Sequence, residues 1–435
     1  MEQTTNQSEK KPFTVAWVSS TYFAEGLPFM IVRIISSVFF TDIGARERYI
    51  GYLNLLNIPW NIKFLWSPLL DTVSTKRRWQ IVLQSIIAAL TLAIALACYF
   101  VPQDSDPSRY LIFIAVVFVV MAFCSATNDI AIDGYYMEGL TDRREQAAYS
   151  GYRVLAYRVA MIFARSGLVA FAAYIAAKLG STNKYLPWVY AFGAGAATMF
   201  LVAGLHAVYL PHFEAERKAK TAGEILAGFR NAFITYLQQE KVVLVLIFIV
   251  IYKLGDEVLF SMVTPFLMRE LGISKAQYAW VGGIVGAAGT VVGAMLGGWW
   301  IKKQGLKKAI WPLTLLMNFN IWAYIWLAWA KPDPKTVTGI SIIAFIHGYE
   351  QVAAGLGSAA LLVYLLGTCK PDYKAAHYAI GSAIMSLGGT IFGGYGGVLV
   401  EKIGYLNLFL LAFFISIPSM VMLFFVPLKD DAPKS

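Results

Sequence analysis

Twelve apolar runs of membrane length follow one another along the chain, each closed by a short cluster of charged residues, proline or glycine. Read at those breaks, the pattern predicts helices over 12–41, 48–70, 79–101, 110–138, 145–178, 186–210, 241–269, 275–301, 307–330, 338–366, 372–402 and 404–427. The runs supply the ~20 apolar residues that a helix needs to cross the hydrocarbon core, and the short alternating segments of an outer-membrane barrel are absent. The fold class is therefore an all-α polytopic membrane protein with twelve transmembrane helices. Several runs are longer than a bilayer requires, which implies tilt or extension into water.

One connection breaks the rhythm. Pro211 to Glu240 is charged, largely helix-compatible and longer than any other joint. It divides the chain into an N-terminal six-helix half over 1–210, a linker over 211–240 and a C-terminal six-helix half over 241–435. The halves echo each other. Gly-Leu-Thr-Asp-Arg-Arg-Glu-Gln-Ala-Ala-Tyr from Gly139 is matched by Gly-Thr-Cys-Lys-Pro-Asp-Tyr-Lys-Ala-Ala-His from Gly367, and Thr41-Asp42-Ile43-Gly44 pairs at the same offset with Arg269-Glu270-Leu271-Gly272. Such self-similarity marks two six-helix pseudo-repeats.

Composition narrows the class. With 58% hydrophobic and 14% charged residues in 435, the chain has too little polar surface for a soluble globule of its size. Its net charge of +10 lies in short loops rather than in one basic domain, which argues against nucleic acid. About twenty Lys and Arg fall on one set of alternate loops against about ten on the other, so the positive-inside rule makes both termini cytoplasmic. The linker is then cytoplasmic too. Cys98, Cys124 and Cys369 are odd in number and scattered, giving neither a disulfide framework nor metal spacing. No metal and no cofactor is expected. The first apolar run is too long for a signal-peptide core and lacks a small-residue cleavage site, so the first helix should stay uncleaved. The expected partners are a small solute, protons and the bilayer, handled by a monomer.

The charges inside the runs carry the chemistry. Asp129 and Asp133 lie four residues apart in Ser-Ala-Thr-Asn-Asp-Ile-Ala-Ile-Asp, hence on one helix face. A carboxylate at membrane depth costs at least about 2.5 kcal/mol, so each calls for a partner or a watery cavity. The fourth and fifth helices are joined by a short turn near Asp142 and must run antiparallel. Counting outward from that turn predicts two stacked ion pairs, Asp133 with Arg153 and Asp129 with Arg158. Glu25, Asp256, Glu257 and Glu350 lie near the middle of their runs, and the runs also hold the cations Arg33, Lys63, Arg153, Arg158, Arg165 and Lys253. A mid-membrane acid can carry a proton if desolvation and a nearby cation oppose each other there. Glu25 heads that order, followed by Glu350, one turn from His347, then Asp256 and Glu257, with Asp129 behind. The cations suit an anionic ligand, with Asn128 and His347 as further binding candidates. Lys63 can equally snorkel to the interface, and Tyr22, Tyr135, Tyr136, Trp60 and Trp66 can stack on sugar or simply pack. Gly26 and Pro28 could break the first helix and free backbone groups. The glycines of the eighth run (Gly282, Gly286, Gly289, Gly293, Gly297) and eleventh run (Gly381, Gly388, Gly389, Gly393, Gly396, Gly397) permit close helix approach, the sliding surface that rocking halves need.

Two parallel six-helix repeats with a long cytoplasmic linker resemble the major facilitator superfamily. The loop Gly-Trp-Trp-Ile-Lys-Lys-Gln-Gly-Leu-Lys-Lys has the superfamily's outline, with Lys302 where an acid is usual. More narrowly, Phe-Ala-Glu-Gly-Leu-Pro at Phe23, Lys-Phe-Leu-Trp-Ser-Pro-Leu-Leu-Asp at Lys63 and the Ser125 to Asp133 run resemble the AmpG-type muropeptide permeases and the related acetyl-CoA transporter family. Asn128 stands where AmpG-type chains often carry Gln, and Glu25 where they carry a small residue. The resemblance implies that the first, fourth, seventh and tenth helices line a central cavity, the four that hold Glu25, Asp129, Asp256 and Glu350. It further implies proton-coupled import of an anionic solute such as a muropeptide across a bacterial inner membrane, or else transport of acetyl-CoA or another anionic metabolite. No His-Glu-x-x-His or Gly-x-Ser-x-Gly motif suggests an enzyme, no P-loop suggests ATP drive, and the linker is too small for the soluble domain of a receptor.

Overall fold

The computed structural model describes residues 11–67, 70, 74–102, 106–180, 182–213, 222–370 and 374–428. Lys10, Asp71 of the second-helix motif, linker residues 214–221 and the C-terminal 429–435 lie outside the described residues. Twelve spans follow the apolar runs: α1 Phe13–Ile43, α2 47–65, α3 Lys76–Phe100, α4 Ser108–Gly139, α5 Arg144–Leu179, α6 Leu186–Tyr209, α7 242–270, α8 Lys275–Gln304, α9 Leu306–Ala330, α10 Val337–Gly367, α11 374–403 and α12 405–422. A linker helix, Ala222–Leu237, precedes α7. Nine of the twelve are long and apolar enough in one piece to cross a membrane, among the described residues. In α2 the turns at Leu53–Asn57 and Lys63–Leu65 tighten to 3₁₀ geometry, and α11 is interrupted by a turn on Tyr395.

Local chemistry sets several ends. Thr75 caps α3 by accepting from the Arg78 amide at 3.2 Å, and Asp142 caps α5 by accepting from the Arg144 amide at 2.9 Å. Ser274 and Gln277 form a capping box at the start of α8. Gly404 sits at φ 76°, ψ 168°, a conformation closed to residues with a Cβ, and separates α11 from α12.

One expectation is corrected in α7. Read from sequence as one helix, it breaks at Tyr252 and Lys253 and again at Met262. Just past the first break α7 packs tightly on α12: a Cβ on Gly255 would lie 2.5 Å from the Ala412 carbonyl oxygen, an approach that glycine alone permits.

The chain divides into two compact units, Met1–Ser36 with Leu65–Ala219, and Ser37–Phe64 with Lys220–Ser435. The first is built on Trp17, Tyr22, Ile132, Tyr135, Tyr136 and Ala156, with Trp17 edge-on to Tyr135 at 5.2 Å. The second is built on Phe248, Tyr252, Ile310, Leu313, Met317 and Tyr364. In it the α8 glycines face α10: Cβ atoms on Gly289 and Gly297 would lie 2.8 Å from Gly348 O and 2.9 Å from the Ala359 methyl. Small residues thus let α8 and α10 approach to backbone contact inside one unit. The α11 glycines divide. Gly388 and Gly389 admit Val250 and Glu257 of α7, while Gly394 and Gly397 admit α2, where a Cβ on Gly51 would lie 2.6 Å from the Gly397 nitrogen.

Residues 37–64 are held within the second unit by polar contacts as well. Arg269 donates to the Thr41 and Ala45 carbonyls at the end of α1 (Nε 2.9 Å, Nη1 2.7 Å) and pairs with Glu47 at 2.9 Å. Lys275 pairs with Asp42 at 2.9 Å and Arg48 with Glu401 at 2.5 Å. Asn57 and Asn61 donate to Thr390 of α11 at 3.2 and 3.0 Å.

Candidate functional site

In the first unit the site begins with a backbone defect. Pro28 has no N–H, so the Ala24 carbonyl one turn earlier has no intrahelical partner. The Asn128 side-chain amide of α4 donates to it at 3.2 Å, and Asn128 is fully buried. Gly26 faces α5, where a Cβ would lie 3.0 Å from the Ala160 methyl. The expected break at Gly26 and Pro28 is therefore absent. The α-helix runs unbroken over Lys11–Met30, because a neighbouring side chain replaces the one lost bond. The irregularity comes later, as a π-turn over Ile31–Ile35 that carries Arg33. Arg165 likewise sits in a π-turn, Phe163–Leu168, and Arg269 in a third, Phe266–Glu270. Such insertions re-aim side chains and recur at functional positions.

The acids of α4 meet different fates. Asp133 Oδ1 accepts from Tyr22 OH at 2.8 Å and pairs with Arg153 Nη2 at 3.0 Å. The Arg153 guanidinium lies over the Tyr22 and Tyr136 rings, 4.3 and 4.6 Å from their centroids. Both partners remain part-exposed, Arg153 at 35% and Asp133 at 42%. Asp129 is 5% exposed. It forms no ion pair with Arg158, whose Nη1 instead lies 3.3 Å from Met161 Sδ. The expected second pair is thus corrected, and helix geometry explains why. Depth matches, but Arg158 stands five residues after Arg153, which turns it about 140° round the helix, while Asp129 and Asp133 differ by only about 40°. Glu25 is half-buried on α1.

A third polar group in this unit escapes sequence reading. His206 of α6, fully buried, lies 2.7 Å from Gln84 Oε1 and 3.0 Å from Ser20 Oγ, and Ser20 bonds Tyr209 in turn. With Nδ1–H donated to the Gln84 carbonyl, Nε2 accepts from the Ser20 hydroxyl. A histidine alone in an apolar run was the available signal.

In the second unit the break in α7 gathers the charges. Lys253 Nζ lies 3.3 Å from Asp256 Oδ2, 3.8 Å from Glu257 Oε1 and 3.2 Å from Ser358 Oγ of α10. Asp256 is 2% exposed, whereas the Glu257 side chain is 39% exposed. Both acids occupy the first turn of the restarted helix, where backbone N–H groups favour negative charge. Lys253, Glu257, Ser358, Tyr378, Ser386 and Gly389 line a cavity of about 250 Å³. Deeper in α10, Glu350 is 1% exposed and accepts from Gln351 Nε2 at 3.1 Å, and Gln351 accepts from Thr290. His347 Nδ1 lies 2.7 Å from Tyr324 OH. Ser358 and Gln351 were not foreseen, since nothing in sequence separates them from other small or polar helix residues. Among the described residues no His, Cys, Asp and Glu group could hold a metal ion.

Comparison with known proteins fits this arrangement. The chain is 27% identical over 408 residues to the anhydromuropeptide permease of Escherichia coli, covering 92% of this chain and 77% of that one. Its fold is similar to that of a bacterial homolog of the human lysosomal transporter Spinster, with a TM-score of 0.70 at 15% identity over 96% of this chain and 97% of the other. A D-xylose–proton symporter aligns with a TM-score of 0.67 at 14% identity, over 96% and 98% of the two chains. The family model of the Major Facilitator Superfamily matches residues 18–351 and 245–435, and with twelve spans in two six-helix pseudo-repeats this chain belongs to that superfamily.

Proposed function

We propose that this membrane transporter imports an anionic, sugar- or peptide-bearing solute, such as a peptidoglycan-derived muropeptide, by proton symport across a bacterial inner membrane. It acts as a monomer with both termini in the cytoplasm. The observation that carries the reading is the cluster at the α7 break, where one cation serves two carboxylates beside a cavity. An anionic ligand that takes Lys253 leaves a carboxylate without its cation, and a proton from water then replaces the lost charge. Solute and proton would in that way enter together. The likeness to the E. coli permease supports a muropeptide over acetyl-CoA.

The test is uptake into proteoliposomes of labelled anhydromuropeptide and of labelled acetyl-CoA, with and without a pH gradient. Gradient-dependent accumulation of the muropeptide alone is expected; uptake indifferent to the gradient, or of acetyl-CoA alone, overturns the reading. Glu257→Gln should abolish accumulation while leaving solute exchange intact. The same measurement on Glu25→Gln decides which acid couples: the variant that loses accumulation but keeps exchange has lost the coupling group.

A further inference from the structure

A second and larger cavity, of about 740 Å³, lies within the second unit where the linker helix meets α7. Its walls come from the linker end at Gln238, the start of α7, the end of α8, the start of α9 and the end of α10. Three lysines from three separate segments line it, Lys241, Lys302 and Lys370, against one acid, Glu240. All three are exposed, and none makes an ion pair among the described residues. α7 and α9 both begin on its rim, at Lys241 and Gly305, without a side-chain cap, so their first N–H groups add positive potential. Lys302 is the residue that stands where the superfamily's loop outline carries an acid. Like charges converge here on an empty volume, and the transport reading uses none of them.

From this geometry we infer that the cavity binds a phosphate-bearing anion, the headgroup of an acidic phospholipid. Three point charges from different directions match a tetrahedral phosphate, whereas no Arg fork is present for planar carboxylate recognition. Depth favours the lipid. Trp299, 60% exposed, and Trp300 directly precede Ile301 and Lys302, and Lys303 Nζ lies 5.3 Å from the Trp299 ring. Exposed tryptophan followed by lysine places this end of α8 at headgroup level. Basic pockets at that level capture lipid headgroups.

The test is lipid binding to the purified full-length protein, counted by native mass spectrometry. Phosphatidylglycerol is set against phosphatidylcholine, with inorganic phosphate and glycerol 3-phosphate as soluble competitors. Wild type should prefer phosphatidylglycerol. Each of Lys241→Gln, Lys302→Gln and Lys370→Gln should weaken its binding about fivefold, and the triple variant about a hundredfold. Lys335→Gln, in the loop between α9 and α10, should leave it unchanged. Equal binding of the two lipids, wild-type binding by the triple variant, or an equal loss with Lys335→Gln overturns the inference. Lysine-dependent binding of the soluble phosphates without phosphatidylglycerol would keep the phosphate site and overturn the lipid as its source. The lysines are exposed, so unchanged circular dichroism of the triple variant separates lost binding from lost folding.

Discussion

In the first unit Arg153 meets one carboxylate, on helices that run unbroken past it, and two aromatic rings and a tyrosine hydroxyl complete its surroundings. In the second unit Lys253 meets two carboxylates at a point where the helix stops and restarts. The first arrangement is balanced in charge, so nothing in it asks for a further ion. The second holds one negative charge too many beside an open volume. A chain can therefore carry similar residues in two apolar settings and make one a brace while the other becomes the site we propose for solute and proton. The difference lies in the charge count and the backbone, not in residue type.

The comparison breaks most sharply at Lys253. Lys253→Met leaves Asp256 buried without its cation, and unfolding in detergent should show a loss of about 3–5 kcal/mol together with lost uptake. Adding Asp256→Leu should restore most of the stability and none of the transport; a double variant that still transports would make the cluster a brace like the other. The Arg153 pair is part-exposed and should respond less. Arg153→Met should cost about 2 kcal/mol, because two ring contacts go with the charge, and Asp133→Asn about 1 kcal/mol. Losses as large as that at Lys253 would erase the distinction. An effect as small as that of Asp133→Asn belongs to Asn128→Leu, about 1 kcal/mol for one lost hydrogen bond. In a Pro28→Ala background, where residue 28 regains its N–H, that loss should shrink toward zero in the same unfolding measurement.

How far the sequence announces these features depends on what sets them. The spans were legible because each needs only a run of apolar side chains, and the linker because charge interrupts those runs. Lys253, Asp256 and Glu257 were legible singly, as charges inside one apolar run. Their helix break was not: no proline marks it, and the contact beside it, Gly255 with Ala412, joins residues more than a hundred apart in the chain. Gly26 and Pro28 gave the opposite error, since a local signal for breaking was answered by Asn128 from another helix. For Asp129 and Arg158 depth could be counted but azimuth had to be included. Arg269 was legible in part. The internal echo pairs it with Thr41, and the structure brings these two positions, 228 residues apart, into hydrogen-bond contact.

That contact also bears on the order in which the protein can be made. Residues 37–64 leave the ribosome long before α7 and α11 exist, yet their partners are Arg269, Lys275, Thr390 and the Gly394 and Gly397 backbone. A nascent chain ending at the linker would hold the Asn57 and Asn61 amides and the Gly51 notch uncovered in lipid, so the first half must wait in the bilayer, part-assembled, for the second to arrive. Separately expressed halves should for the same reason recover their fold only when both are made in one cell.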